Sequence, residues 1–129
     1  MNKVFLKKII AQNSKDLEII SACCAGSKIN ISDIKYLKEN KIFLISLERF
    51  AKETEDKSIK IRSILKFEFI DKSRSKNINI SNSEVTLELL GIDLYKNENN
   101  YEITLLFLNN AFITLTAEII EATLEDQKK

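Results

Sequence analysis

One segment of the chain alternates between apolar and polar residues, and it constrains the fold more than any other. In IKIRSILKFEFI the residues on one side of an extended chain are Ile59, Ile61, Ser63, Leu65, Phe67 and Phe69. Lys, Arg and Glu dominate the other side. A period of two with one apolar face is typical of an antiparallel strand that lies between a core and water. The sequence therefore predicts an antiparallel sheet.

Neighbouring segments extend this sheet. KINISDIKYL leads through a polar turn at residues 38–40 into KIFLISLERF, which predicts a strand pair. AKETEDKS (residues 51–58) predicts a charged loop. DKSRSKNINISNS is polar, and we expect it to be mostly irregular. EVTLELLGIDLY predicts a long strand with a bulge or a bend at Gly91.

A tight hairpin is predicted near the C-terminal end. YEITLLFL returns through the dipeptide Asn109-Asn110, because Asn tolerates the positive φ that a two-residue hairpin loop needs. This register sets Phe107 opposite Phe112. It likewise sets Leu106 opposite Ile113.

Two helices are predicted, an N-terminal helix and a C-terminal helix, both packed on the strands. NSKDLEIISACCAGS has an N-cap at Asn13 or Ser14 and a stop at Gly26, with an apolar stripe between them. In AEIIEATLEDQ, Ile119 or Ile120 and then Leu124 recur at helical spacing. We therefore expect an α+β fold of about seven mostly antiparallel strands in a sandwich or small barrel, with a pleckstrin-homology-like barrel as one candidate.

The two cysteines and the missing histidine limit the chemistry. Cys23 and Cys24 are adjacent, so they lack the two intervening residues of a redox or zinc motif. Without His there is no imidazole to serve as a base or metal ligand. The sequence predicts that both cysteines pack in the core, and it predicts no cofactor and no metal site.

Length and charge exclude several classes of protein. The 129 residues suit a single domain spanning 1–129, and the net charge of +1 is far from the basic balance of a nucleic-acid binder. No run of about 18 apolar residues predicts a transmembrane span. The first ten residues lack the form of a signal peptide, so we expect a cytoplasmic protein.

Five polar residues are candidates for a binding site. Arg49 suits a carboxylate, and Asp33 and Tyr36 lie near it in the predicted strand pair, so an Asp33–Arg49 ion pair is expected. Glu118 and Glu121 share one face if their segment is helical. A further row, Lys60, Arg62 and Lys66, suits either an anion or simple solvation.

Several stretches, taken in order, resemble an uncharacterised alphaproteobacterial family of small cytoplasmic proteins that is known as a domain of unknown function. They are DLEIISA (16–22), SDIKYL (32–37), Arg49-Phe50, LKF (65–67), LELLGI (87–92), LFLNNAFITL (106–115) and IEATLED (120–126). The resemblance implies no activity, cofactor or catalytic residue.

The functional prediction is a non-enzymatic protein-binding or adaptor module that takes up a protein or peptide. Two alternatives remain open at this point. One is a small enzyme that uses the carboxylates of Asp33, Glu118 and Glu121. The other is a weak binder of anionic membrane surfaces that uses the Lys60, Arg62 and Lys66 row.

Overall fold

The computed structural model describes residues 6–51, 59–79, 81–82 and 84–127. The predicted loop at 51–58 lies outside these residues, apart from Ala51. The described chain forms one α-helix, α1, at Ser14–Cys24. Its strands are β1 Lys8–Ala11, β2 Lys28–Asn30, β3 Ile34–Leu37, β4 Ile42–Phe50, β5 Lys60–Phe67, β6 Ile70–Lys76, β7 Thr86–Lys96, β8 Tyr101–Phe107, β9 Ala111–Ala117 and β10 Ala122–Asp126.

All the described strands belong to one open antiparallel sheet. Its order is β1-β10-β5-β4-β2-β7-β8-β9-β6, and β3 pairs with β4 off this path. Alternate residues of the long strands are buried and form a single hydrophobic cluster. Leu17, Ile20 and Cys24 of α1 join this cluster, so the helix covers part of the core.

The sheet bends where two paired strands change direction together. The β5–β10 ladder ends at Phe67 opposite Ala122, and the β6–β9 ladder begins at Ile70 opposite Ala117. Between them, Glu68 N donates to Glu121 O and Glu118 N donates to Phe69 O. Phe69 has a φ of 61°, which turns the chain and leaves its ring 41 % exposed. The alternation of residues 59–69 therefore continues only as far as Phe67.

The predicted fold of about seven strands with two helices, including its pleckstrin-homology-like form, is wrong. The described residues contain ten strands in one open sheet, and the segment predicted as a C-terminal helix is β10. The helical spacing was ambiguous, because residues four apart share a face in a strand as well as in a helix. Ile120, Ala122, Leu124 and Asp126 are all buried, which is a period of two.

Three segments differ from the prediction in detail. KINISDIKYL is divided into β2 and β3 by a 3₁₀ turn at Ile31–Asp33. The segment expected to be irregular contains β6. In the β8–β9 hairpin, Phe107 lies opposite Ala111 and Leu106 opposite Phe112, so the loop has one residue more than predicted.

Other local predictions are confirmed. Asn13 caps α1, since its Oδ1 accepts from Asp16 N at 2.8 Å. The ladder between β7 and β8 shifts register between Leu89 and Gly91, which is the predicted bulge. Cys24 is fully buried in the core, and Cys23 packs against it, as the packing interpretation expects.

Asn109 and Asn110 both have a positive φ, 70° and 58°. A substitution at Asn109 therefore tests how much the hairpin loop depends on this backbone conformation. We expect Asn109→Ala to lower the free energy of unfolding by about 1 kcal/mol, since an alanine Cβ is crowded in this conformation. Asn109→Gly should stay within about 0.5 kcal/mol of the original protein. Urea unfolding measures both variants. An equal loss in the two would show that the backbone conformation is not the cause.

Candidate functional site

The five predicted site residues do not form one site. Arg49 is buried, with its side chain 0 % exposed. Asp33 lies at the surface, where its Oδ2 is 3.9 Å from Arg62 Nη1. Tyr36, Glu118 and Glu121 lie near or at the bend of the sheet. Each of the three carboxylates has a different partner, and no two of them are paired with each other in the described structure.

Arg49 forms a buried ion pair with Asp126, so the predicted pairing with Asp33 is wrong. Arg49 Nε donates to Asp126 Oδ1 at 2.9 Å, and Arg49 Nη2 donates to Oδ2 at 2.7 Å. Ser63 Oγ donates to Oδ1 at 2.6 Å, and Lys7 N donates to Oδ2 at 2.9 Å. These contacts join β4, β5, β10 and the segment before β1. The arginine therefore has a structural role.

The environment of Asp126 favours its charged form. Burial alone raises the pKa of this carboxyl group. Hydrogen bonds from Arg49, Ser63 and the Lys7 backbone outweigh that effect, and the pKa lies below its ordinary value of 3.8. The carboxylate is ionised wherever the protein is folded near neutral pH.

A second polar cluster lies at the bend. Lys41 Nζ binds Glu118 Oε1 and lies 3.0 Å from Asp71 Oδ1. The hydrogen bond to Glu118, followed by that to Asp71, raises the pKa of Lys41 above its usual range. Lys41 O accepts from Ile70 N at 2.9 Å, and Tyr36 Oη donates to Ile70 O at 2.9 Å. Tyr36 and Glu118 thus help to fix the start of β6.

The row of cations on β5 faces carboxylates. Lys60 Nζ is 3.8 Å from Glu48 Oε1, and Lys66 Nζ is 3.8 Å from Glu68 Oε2. Arg62 has the contact with Asp33 already described. A row in which each cation has an acidic neighbour presents little net positive charge to an anionic surface.

Near the same strands, a shallow groove of about 430 Å³ crosses the outer face of β1, β10 and β5. Its charged lining includes Lys8, Lys66, Glu121 and Glu125. Glu121 Oε1 accepts from Gln12 Nε2 at 2.9 Å. The lining mixes both signs of charge, so it favours no single kind of charged ligand.

The side of β6 that faces away from β9 has no strand partner among the described residues. At its first residue this side is occupied, because Ile70 N bonds to Lys41 O. From Lys72 to Lys76 it carries no strand. We call residues 72–76, with this unpaired side, the β6 edge.

The register identifies which backbone groups of the β6 edge are unpaired. Leu108 N donates to Glu88 O, so the backbone N–H of Leu108 points to β7. Successive residues of a strand direct their backbone groups to opposite sides, so those of Phe107 point to β9. Phe107 lies opposite Ala111, so the odd-numbered residues of β9 direct their backbone groups to β8 and the even-numbered residues direct theirs to β6. They lie opposite Lys72, Arg74 and Lys76, which therefore bond to β9. The N–H and C=O groups of Ser73 and Ser75 point away from the sheet.

The side chains of the β6 edge also alternate between the two faces of the sheet. Lys72, Arg74 and Lys76 lie on the outer face and are exposed. Arg74 Nη2 binds Glu102 Oε1 at 2.8 Å, and Lys76 Nζ lies 5.8 Å from the centre of the Phe112 ring. Sequence reasoning missed this strand because neither face is apolar. The alternation of Ser with basic residues in KSRSK was its only signal.

Other kinds of site lack support in the described ranges. No group of three or more Cys, Asp or Glu side chains is placed to hold a metal ion there. Over the same residues, no helix has the length and apolar character that crossing a membrane requires. Of the two strands that end the sheet path in the described structure, β1 and β6, β6 is the longer.

Residues 7–129 match the model of a family that is described as a protein of unknown function, DUF2948. No curated protein and no solved structure matches the chain. The family match confirms the predicted resemblance to a domain of unknown function and assigns no role to any residue.

The buried ion pair makes a prediction about coupled substitutions. We expect Arg49→Met and Asp126→Leu each to lower the free energy of unfolding by about 3–5 kcal/mol, because each leaves one buried charge without its partner. The double variant should lose less than the sum by at least about 2 kcal/mol. Denaturant unfolding of all four proteins measures the coupling. Additive losses would mean that the two charges do not depend on each other.

Asp126 also makes a prediction about acid stability. Its pKa is lower in the folded protein than in the unfolded chain, so its contribution is complete above the unfolded value of 3.8 and is lost as the pH falls through the folded pKa. The free energy of unfolding should fall less below about pH 4 in Asp126→Asn than in the original protein. Urea titrations across this range compare the slopes. Equal slopes would contradict the prediction.

Proposed function

The chain belongs to the DUF2948 family, and we propose that it is a non-enzymatic binding module that captures an extended peptide by strand addition at the β6 edge. One observation carries this proposal, which is the unpaired side of β6 with the backbone groups of Ser73 and Ser75 directed outward. Extended peptides bind to such edges because their main-chain groups continue the ladder.

The β6 edge suits this role better than the other sheet edges. β1 and β3 have four residues each, and the β6 edge comprises Lys72–Lys76 of the strand Ile70–Lys76. β1 also packs beside α1. A longer free edge offers more main-chain hydrogen bonds to a peptide, and it also fixes the peptide's direction and register better.

Two other functions have weaker support. An enzyme that uses Asp33, Glu118 and Glu121 needs at least two of these groups at one place, and each has a separate partner. Binding to an anionic membrane through Lys60, Arg62 and Lys66 is opposed by their acidic neighbours.

A cytoplasmic location fits the two free thiols of Cys23 and Cys24. Thiols remain reduced in that compartment. The location agrees with capture of an intracellular protein segment.

The experiment that tests strand addition begins with a random octapeptide display library selected on the purified protein. The strongest peptide is synthesised, and amide hydrogen exchange of the protein is measured with and without it. We expect exchange of the Ser73 and Ser75 amides to slow by roughly tenfold or more at saturation, because both gain a hydrogen-bond acceptor. Protection confined to other strands would refute capture at this edge.

Ser75→Pro provides a specific variant for the same peptide. Proline removes the outward N–H and leaves the ladder to β9 intact, which edge strands tolerate. Peptide affinity should fall about tenfold, since one hydrogen bond is lost and a peptide carbonyl is left unpaired. Ser75→Ala is the matched control and should bind as the original protein does.

A second measurement covers the case in which Ser75→Pro fails to fold. The peptide is N-methylated at its odd residues in one version and at its even residues in another. Strand addition uses the amides of one peptide edge only, so one version should bind and the other should not. If both versions bind equally well, or if the library yields no binder tighter than about 1 mM, the proposal is wrong.

A further inference from the structure

The three cations of the β6 edge lie on one face of the sheet, and all three would occupy the same kind of position in a pair with an added strand. Lys72, Arg74 and Lys76 bond to β9 through their backbones, so in an added antiparallel strand they fall at positions without inter-strand hydrogen bonds. Opposed residues at such positions have Cα atoms about 4.5 Å apart, closer than at hydrogen-bonded positions. The side chains that an added strand places there meet these cations directly.

Among the described residues, two of these cations have no acidic partner. Arg74 binds Glu102, and Asp71, at the start of the strand, binds Lys41. In the described structure no carboxylate lies within salt-bridge distance of Lys72 or Lys76. Opposite charges across a strand pair stabilise it, and like charges destabilise it.

The other face of the β6 edge has a different character. Ser73 and Ser75 point to the side of the sheet that holds the core, opposite the buried Leu115 and Ile113 of β9. An added strand places every second side chain beside these serines. Apolar side chains there gain contact with the rim of the core.

A second copy of this chain does not fit the edge. Antiparallel pairing of β6 with itself about Arg74 sets Arg74 opposite Arg74 and Lys72 opposite Lys76. Each of these pairs of cations is repulsive. The occupant therefore carries the opposite charge.

We propose that the β6 edge binds an extended acidic protein segment, in which carboxylates recur at every second residue and apolar side chains lie between them. This inference rests on strand addition at the same edge, and it adds the chemistry of the partner. Nucleic acid is less suitable, because only three cations lie in line and Glu102 and Asp93 occupy the same outer face.

Three synthetic octapeptides test the inference: (Glu-Val)₄, (Lys-Val)₄ and the block peptide Glu₄Val₄. We expect (Glu-Val)₄ to bind the original protein roughly 100-fold more tightly than (Lys-Val)₄, because three cross-strand pairs change from attractive to repulsive. Glu₄Val₄ has the same composition but the wrong spacing and should bind at least about tenfold more weakly than (Glu-Val)₄. Isothermal calorimetry at low salt gives the three affinities.

A charge-reversed protein provides the reciprocal test. Lys72→Glu, Arg74→Glu and Lys76→Glu combined should reverse the preference, so that (Lys-Val)₄ binds more tightly than (Glu-Val)₄. The matched control carries Lys60→Glu, Arg62→Glu and Lys66→Glu on β5, with the same change in net charge. It should retain the original preference, since β5 is paired on both sides.

The outcomes separate the two proposals. Equal affinity for (Glu-Val)₄ and (Lys-Val)₄, with Ser73 and Ser75 amides protected by both, would overturn the acidic partner and leave strand addition in place. Protection by neither peptide, together with failure of the library selection, would remove both. Equal binding of Glu₄Val₄, or tighter binding of an eight-nucleotide oligothymidylate or of phosphatidylserine vesicles, would also overturn the acidic-segment inference.

Discussion

The structure depends on a bend that two paired strands make together. β5 and β10 are hydrogen-bonded up to Phe67 and Ala122, and β6 and β9 continue the pairing from Ile70 and Ala117. β6 and β9 turn together at this bend, so β6 keeps β9 as its strand partner and forms one end of the sheet among the described residues. Beyond Ile70, which bonds to Lys41, the side of β6 away from β9 has no strand partner in the described structure, so the unpaired edge begins just after the bend.

The bend needs its own stabilisation, because Phe69 is a non-glycine residue at a φ of 61°, which is a strained conformation. Lys41 supplies part of it by bonding to Glu118 and Asp71 from one side. Its carbonyl group binds Ile70 N. Lys41, the residue before β4, thus contacts both sides of the bend, at Ile70 and Asp71 of β6 and at Glu118 after β9.

The Arg49–Asp126 ion pair fixes the position of β10. A buried charge is costly unless its hydrogen-bonding capacity is satisfied. Asp126 accepts four hydrogen bonds from three residues, Arg49, Ser63 and Lys7. The network specifies one register for the final strand, because a shift by one residue would turn Asp126 to the outside and leave Arg49 buried alone.

These features explain which parts of the fold were predictable from the sequence. Helix α1 and the bulge at Gly91 have local signals, a capping side chain and a glycine in a strand, and both predictions are confirmed. β10 was mistaken for a helix because Ile120 and Leu124 fit both periods. That error also hid the partner of Arg49, since only a strand puts Asp126 on the same face as Leu124.

The candidate site was hidden for a different physical reason. A strand at the end of a sheet buries little of either face, so β6 lacks the apolar alternation that identifies β5. Its Lys and Arg residues also have a protective effect, because charged edge strands resist pairing with copies of themselves. In the proposed complex, the charges that oppose pairing with a second copy attract a strand of opposite sign. Rejection of one class of partner and selection of another then follow from a single row of side chains.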